Sequence, residues 1–334
     1  MTVPSCVIRA SAPVRLDFAG AWTDVAPFAT HSRGVVVNAA INLRTRVALM
    51  PGQQRYHLRA DDLDQQVDVA SLAELEPDGT LDLLKAAIRR SELGPCSLRT
   101  SAEAPPGSGL GTSGALSVAL TAAIATAQGR TLAPLEIAHQ AWQLETVDAA
   151  VPGGQQDQYA AALGGFQHLT FDHGATTARE LAIDPEFAKA LAAHTVVCYT
   201  GQSRFSGSTI TRVMTAYAGG DPIVVAALDA MVAIAEEMAG ALEGSRLTQV
   251  GALLAQNWVQ QQRLAPGMRT EAMAQLEAAM TRAGAIGGKA AGAGAGGSMF
   301  FLVPGRVDAA IAAARACGAT ILPTHWAGRG VSID

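Results

Sequence analysis

Runs of alternating and continuous apolar residues divide the chain into elements before any chemistry is considered. Residues 6–16 alternate polar and apolar positions and lead into Asp17-Phe-Ala-Gly20, which predicts a strand running into a tight turn. Residues 34–43 are rich in valine and isoleucine, and 45–50 and 56–59 continue as short strands, so the chain opens on an antiparallel sheet. Residues 81–91 read as a helix, 96–101 as a strand, 114–127 and 134–149 as two helices, and 165–171 as a strand. Turn residues at 172–174 precede a second region: a buried strand at 195–199, amphipathic helices at 223–243, 247–263 and 271–283, a strand at 299–303, a helix at 307–317, and strands at 319–323 and 331–333. Strands and helices mixed in this way predict an α+β protein of two domains, 1–175 and 176–334. No repeat of 20–50 residues is present.

Composition narrows the class. At 334 residues the chain exceeds what one core normally holds. Hydrophobic residues are 49% and charged residues 16%, which suits a well-packed globular protein. The net charge of −5, without a lysine or arginine run, argues against nucleic acid and anionic membranes as partners. Four cysteines (Cys6, Cys96, Cys198, Cys317) lie far apart with no C-x-x-C, as expected of buried thiols in a reducing compartment. No signal core and no run of 18 apolar residues is found, so a soluble, cytoplasmic protein is expected. Oligomeric state, homo-oligomer included, stays open.

The most informative stretch is Ala104-Pro-Pro-Gly-Ser-Gly-Leu-Gly-Thr-Ser-Gly-Ala-Leu, with Gly107, Gly109, Gly111 and Gly114 inside eight residues. Glycine costs roughly 0.5–1 kcal/mol against alanine inside a regular element. So dense a cluster suits a loop whose backbone approaches a ligand just before a helix. The free N–H groups and partial positive charge of a helix start favour phosphate, and Thr112 and Ser113 add hydroxyls for an oxygen or a metal ion. The match to G-x-G-x-x-G is weak evidence for a dinucleotide site, because no strand follows the helix. The Walker pattern fails because Ala115 stands where its lysine belongs.

Three further stretches carry groups suited to phosphoryl transfer. In Ala12-Pro-Val-Arg-Leu-Asp-Phe-Ala-Gly-Ala-Trp-Thr-Asp24, strand alternation puts Arg15 and Asp17 on one face; alone, this reads best as a solvated ion pair. In Pro152-Gly-Gly-Gln-Gln-Asp-Gln-Tyr159, with Glu145 and Asp148 upstream, Asp157 either orients or deprotonates a hydroxyl, or caps a helix starting at Gln158. The glycine-rich 287–298 stretch runs into a buried strand. Two glycine loops, each beside a regular element, suggest a substrate clamped through backbone from both domains.

Taken together, 12–24, 104–115 and 289–297 resemble the three motifs of the GHMP kinases, named for galactokinase, homoserine kinase, mevalonate kinase and phosphomevalonate kinase; order and spacing fit over almost the whole chain. The resemblance implies a ribosomal-S5-like N-terminal domain, a ferredoxin-like C-terminal domain, ATP and Mg²⁺, and a sugar or sugar phosphate as acceptor. Gly20-Ala-Trp-Thr-Asp24, Gly153–Ala161 and Tyr199-Thr-Gly-Gln-Ser-Arg204 are similar to the bacterial heptose kinases, which implies D-glycero-D-manno-heptose 7-phosphate phosphorylated at its anomeric hydroxyl; Ala21-Trp22 departs from the Gly-Gly of that group. By the same resemblance, Pro106, Gly107, Ser108, Gly109, Leu110, Gly111, Thr112 and Ser113 hold ATP. Ser113 and Glu145 hold Mg²⁺, with Thr112 a rival ligand. Asp157 takes the hydroxyl proton and Arg15 keeps Asp157 ionised. Thr23, Asp24, Gln156, Arg204 and Gly294 contact the substrate, Arg204 at the 7-phosphate. Lys289 is equally an exposed lysine before a loop. Rival readings are a fucokinase- or galactokinase-like enzyme acting on a free sugar, and a silent relative that only binds sugar.

Overall fold

The computed structural model describes residues 7–202 and 207–334. Among these residues the larger sheet has eight strands: β1 (Ile8–Ala19), β2 (Gly34–Pro51), β3 (Tyr56–Ala60), β4 (Gln65–Val69), β5 (Cys96–Ala102), β6 (Phe166–Asp172), β7 (Ala175–Glu180) and, from the far end of the chain, β12 (Ser332–Ile333). β2 organises it. One edge pairs with β1, while the other pairs with β6 over residues 34–39 and with β5 over residues 45–51. What the sequence presents as two strands is therefore one, bent at an irregularity where Pro13 pairs with Arg44 and Val14 with Ile41. Asn42 and Leu43 have no β1 partner there, and a proline opposite has no N–H to offer. The C-terminal segment fills the gap: Asn42 N donates to His325 O at 2.9 Å, and His325 N donates to the Asn42 side chain at 2.6 Å.

The helices of this half are α1 (Phe28–His31), α2 (Asp82–Ser91), α3 (Thr112–Ala127), α4 (Pro134–Gln143) and α5 (Gln156–Leu163). α3 is buried along most of its length and packs on β1 and β2 with α2, α4 and α5 around it, which explains why its sequence is apolar on every side. The expected helix 134–149 leaves α-geometry at Leu144, and a π-turn spans Leu144–Asp148 and carries Glu145.

The smaller sheet is antiparallel, in the order β11 (Thr320–Leu322), β8 (Thr195–Tyr199), β10 (Ser298–Leu302), β9 (Gly287–Ala290). Around it lie α6 (Pro185–His194), α7 (Gly207–Ala218), α8 (Pro222–Glu243), α9 (Leu247–Arg263), α10 (Glu271–Arg282) and α11 (Val307–Ala316). Every residue of β10 is buried: Phe300 joins the large core and Phe301 the core under α10 and α11. A sheet covered on both faces leaves no polar alternation to read. α8 packs on β1 and β2 and α9 on β9, so this pair ties the two sheets together.

The α+β class agrees with the sequence reading, but several details do not. The strand expected to end before Asp17 runs to Ala19, so Asp17 and Arg15 are both strand residues. The boundary placed after residue 175 falls inside the β6–β7 hairpin, and by sheet membership 175–180 and 332–333 go with the larger sheet. β4, β7, α6 and α7 carried no clear signal. Of the cysteines expected to be buried, Cys96 and Cys198 are, Cys317 is exposed, and Cys6 lies outside the described residues. No helix among the described residues is long and apolar enough to cross a membrane.

Candidate active site

A cavity of about 570 Å³ lies between the sheets, and nearly all the predicted chemistry opens onto it. Pro106, Gly107, Ser108, Gly109, Gly111, Thr112 and Ser113 form its middle wall. Gly107, Gly109 and Gly111 have φ of 67°, 76° and 79°, the left-handed region that glycine adopts without a Cβ clash. Gly111 is the N-cap of α3 and offers no side chain to its first turn. Among the described residues, the N–H groups of 109–113 meet no protein acceptor. That is the donor array an anionic oxygen requires. Leu110 contributes to this array through its backbone N–H alone: its side chain is fully buried in the core and its carbonyl accepts from Arg15 N at 2.9 Å.

Asp157 stands in the first turn of α5, facing α3. A Cβ at Gly114 would lie 2.6 Å from the Asp157 Cβ, and one at Gly111 3.0 Å from its Cγ, so these glycines let the two helix starts close around the carboxylate. Asp157 sits inside α5, which begins at Gln156, and so does not cap a helix at Gln158. Arg15 reaches it from β1: Nε donates to Asp157 Oδ1 at 2.8 Å, the second terminal nitrogen lies 2.7 Å from the same oxygen, and the first donates to Gly109 O at 2.8 Å. Arg15 is buried, not solvated. Burial is the largest influence and opposes its charge, but Asp157, Asp17 and Asp24 outweigh it and hold its pKa above the ordinary value.

Asp24 holds the turn before α5. Its Oδ2 accepts from Gln155 N at 2.9 Å and Gln156 N at 3.0 Å, and Gly154 packs where any Cβ would strike that oxygen. Its Oδ1 is buried without a partner, and so is Gln156 Oε1, among the described residues. Burial, with a contribution from the Asp157 charge, pushes the Asp24 carboxyl up to about 6 against the pull of its backbone donors and Arg15.

Ser113 Oγ donates to Glu145 Oε1 across the α3–π-turn junction. Glu145 Oε2 accepts from Gln158 Nε2 at 2.7 Å and Ser117 Oγ at 3.4 Å. Burial pushes the Glu145 carboxyl up to about 7; Asp157 adds to this, and Ser113, Gln158 and Ser117 oppose it. The nearby Thr112 hydroxyl is buried and unpartnered among the described residues. A serine hydroxyl, a threonine hydroxyl and one carboxylate make a hard-oxygen set of the kind that suits Mg²⁺.

Thr23, Gly294 and Lys289 do not line the cavity. Thr23 is fully buried, with Oγ1 donating to Gly20 O at 2.7 Å and accepting from Val35 N at 3.0 Å, so it closes its own turn. Gly292 and Ala293 line the cavity, whereas Gly294 packs towards Gln261 and Met268. Arg204 lies outside the described residues. Lys289 is not exposed: fully buried, its Nζ donates to Asp17 Oδ2 at 2.6 Å and to the carbonyls of Asp17 and Ala290 at 2.8 Å. Burial lowers the Lys289 pKa despite that partner. The sequence reading also missed one whole end of the cavity, walled by Ala60, Leu63, Leu81, Leu83 and Leu84. Those residues come from a strand edge and a helix start, where apolar residues look like ordinary core.

Comparison with known proteins identifies the family. Residues 79–165 match the model of the GHMP kinases N terminal domain, and 238–320 that of the GHMP kinases C terminal domain. The chain is 30% identical over 307 residues to the D-glycero-alpha-D-manno-heptose 7-phosphate kinase of Campylobacter jejuni, with 89% of each covered. It is 27% identical over 333 residues to the L-fucokinase/L-fucose-1-P guanylyltransferase of Bacteroides fragilis, covering 89% of this chain and 34% of that one. The crystal structure of a D-glycero-D-manno-heptose 1-phosphate kinase from Bacteroides thetaiotaomicron superposes with a TM-score of 0.80 at 26% identity, over 98% of both chains. With a donor array for phosphate, an arginine-held aspartate and full-length likeness to sugar kinases, the chain belongs to the GHMP kinase family and is an ATP-dependent sugar kinase.

Proposed function

We propose that the enzyme transfers the γ-phosphoryl group of ATP to the anomeric hydroxyl of D-glycero-D-manno-heptose 7-phosphate, giving the 1,7-bisphosphate. The observation that carries this reading is the placing of Asp157: it faces the same cavity as the free N–H groups of 109–113, 2.7–2.8 Å from Arg15. The apolar end at Leu63, Leu81 and Leu84 suits a nucleoside. The opposite end at Asp24 and Gln156, with unpaired oxygens, suits sugar hydroxyls.

Transfer through a loose transition state needs positioning and charge stabilisation more than a strong nucleophile. The backbone of 107–113 holds the polyphosphate. Asp157 accepts the hydrogen bond of the attacking hydroxyl and takes its proton as the oxygen–phosphorus bond forms. Arg15 keeps that carboxylate ionised and fixes its direction. Ser113 and Glu145, with Thr112, would hold Mg²⁺, which supplies charge neutralisation at the phosphates. Asp24 orients the acceptor.

A free sugar is the second reading, and one observation favours it. Among the described residues lining the cavity, Arg15 is the sole cation, and it is already engaged by Asp157. A 7-phosphate therefore depends on Arg204. ADP release across heptose 7-phosphate, fucose, galactose and mannose tests both readings. Preference for the heptose phosphate, with an Arg204→Ala variant that mainly raises its KM, supports the first. Preference for a free sugar, with KM unmoved in that variant, supports the second. No ADP with any of them leaves a sugar-binding protein.

A further inference from the structure

We propose that Trp22 is a specificity-determining residue of the acceptor site, its indole N–H kept for an oxygen of the sugar. The inference rests on the acceptor being a sugar, as proposed above, and goes beyond it by naming the group that reads it.

Three observations converge. Trp22 lines the cavity and is 3% exposed, yet its Nε1 has no hydrogen-bond partner among the described residues. A buried donor is ordinarily satisfied, and tryptophan is placed so that its N–H finds an acceptor. Second, its φ is 83°, in the left-handed region that a bulky side chain enters only when its surroundings enforce it. Here the side chain is held in an apolar cluster with Phe28, Met231 and Met268. Such backbone strain gathers at ligand sites. Third, Asp24, two residues on, also lines the cavity and keeps Oδ1 buried and unpaired.

Two residues of one turn, both lining the cavity, thus carry an unused donor and an unused acceptor. A polyol has both capacities: one hydroxyl donates to Asp24 Oδ1, and another hydroxyl or ring oxygen accepts from Trp22 Nε1. If Trp22 were only packing, phenylalanine would fill the cluster without burying an unpaired N–H. A site built around a buried donor discriminates strongly against a ligand lacking the matching oxygen.

Trp22→Phe keeps the aromatic bulk and removes the N–H, and it is assayed beside the wild type with ATP and the preferred sugar. The acceptor KM is expected to rise about five- to tenfold, with the ATP KM within about twofold. In a series of monodeoxy acceptors, the wild-type penalty at one position should vanish in the variant, a result that loss of packing alone would not give. In the wild-type protein, the indole ¹H–¹⁵N resonance of Trp22 should move downfield when the sugar is added, a readout that does not depend on the variant folding. An unchanged acceptor KM, an identical deoxy-sugar profile or an unmoved resonance overturns the assignment while leaving the kinase reading intact. A wild-type enzyme that phosphorylates no sugar overturns both.

Discussion

The two glycine ribbons look alike as sequence but differ in how much of their backbone the protein itself satisfies. In the first, Gly107, Gly109 and Gly111 are left-handed and the N–H groups of 109–113 are free of protein acceptors among the described residues. In the second, Gly292, Gly294, Gly296 and Gly297 are left-handed too, but part of the backbone is engaged. Gly292 N donates to Asp17 Oδ1 at 2.9 Å, Ala295 N to Met268 O at 2.8 Å and Gly297 N to Gln202 O at 2.7 Å. The carbonyl of Gly292 accepts from Gln261 Nε2, and that of Gly297 from the Thr200 hydroxyl, each at 2.8 Å. Gly292 and Ala293 nonetheless line the cavity, and among the described residues the N–H groups of Ala293, Gly294 and Gly296 meet no protein acceptor. The second braces the first: Ser298 N donates to Ser108 O at 2.7 Å, and a Cβ at Gly292 would lie 2.5 Å from Gly109 O. Small residues permit close approach; which group approaches is decided by what remains unpaired.

Breaking the brace should have the largest effect. Lys289→Met removes the cation 2.6 Å from the fully buried Asp17, leaving among the described residues only Arg15 at 3.8 Å, and should lower stability by about 3–5 kcal/mol in urea unfolding. The ATP KM of the native fraction should change little, and a rise of more than about tenfold would make the second ribbon part of the nucleotide site. Asp157→Asn should lower kcat by about 10²-fold with little change in ATP affinity. Near-normal turnover would remove Asp157 from the chemistry. Gly111→Ala puts a Cβ at φ 79° against Asp157 and should raise the ATP KM about tenfold, because it strains the open ribbon where its donors lie.

The smallest effect is a pH dependence. The Glu145 carboxyl lies at about 7, above its ordinary 4.5, so the folded protein binds its proton more tightly than the unfolded chain. The stability this contributes is complete below about pH 4.5 and is lost as pH rises through about 7. Cation binding needs the ionised form and runs the other way. From about pH 7.5 to about 6.5 the apparent Mg²⁺ affinity should fall about threefold beyond that of Glu145→Gln. Equal pH profiles for the two proteins would take Glu145 out of the metal site.

Local pattern made the first ribbon legible, because a glycine cluster before an apolar helix has few other uses. Arg15 and Asp157 were identifiable as residues, since a charge inside an apolar strand and an aspartate after Gly-Gly are both unusual. Their pairing followed only from the family resemblance, because 142 positions separate them and no local pattern links them. Lys289 was ambiguous for the same reason: its carboxylate partner lies 272 positions away, so an exposed lysine and a buried one read alike. The apolar lining at Ala60, Leu63, Leu81, Leu83 and Leu84 went unread because apolar residues that line a cavity are chemically identical to those that fill a core.

The sequence by itself determined most of the elements, the α+β class, the glycine ribbon before α3 and the identity of most reactive groups, because hydrophobic period, glycine content and capping chemistry are local properties. Tertiary structure decided which of those groups meet and which backbone donors stay open. It also decided that Trp22 and Asp24, both lining the cavity, keep unpaired atoms. Burial, ion pairing and hydrogen-bond satisfaction are set by partners from distant strands and helices, and those partners are neighbours only once the two sheets have packed together.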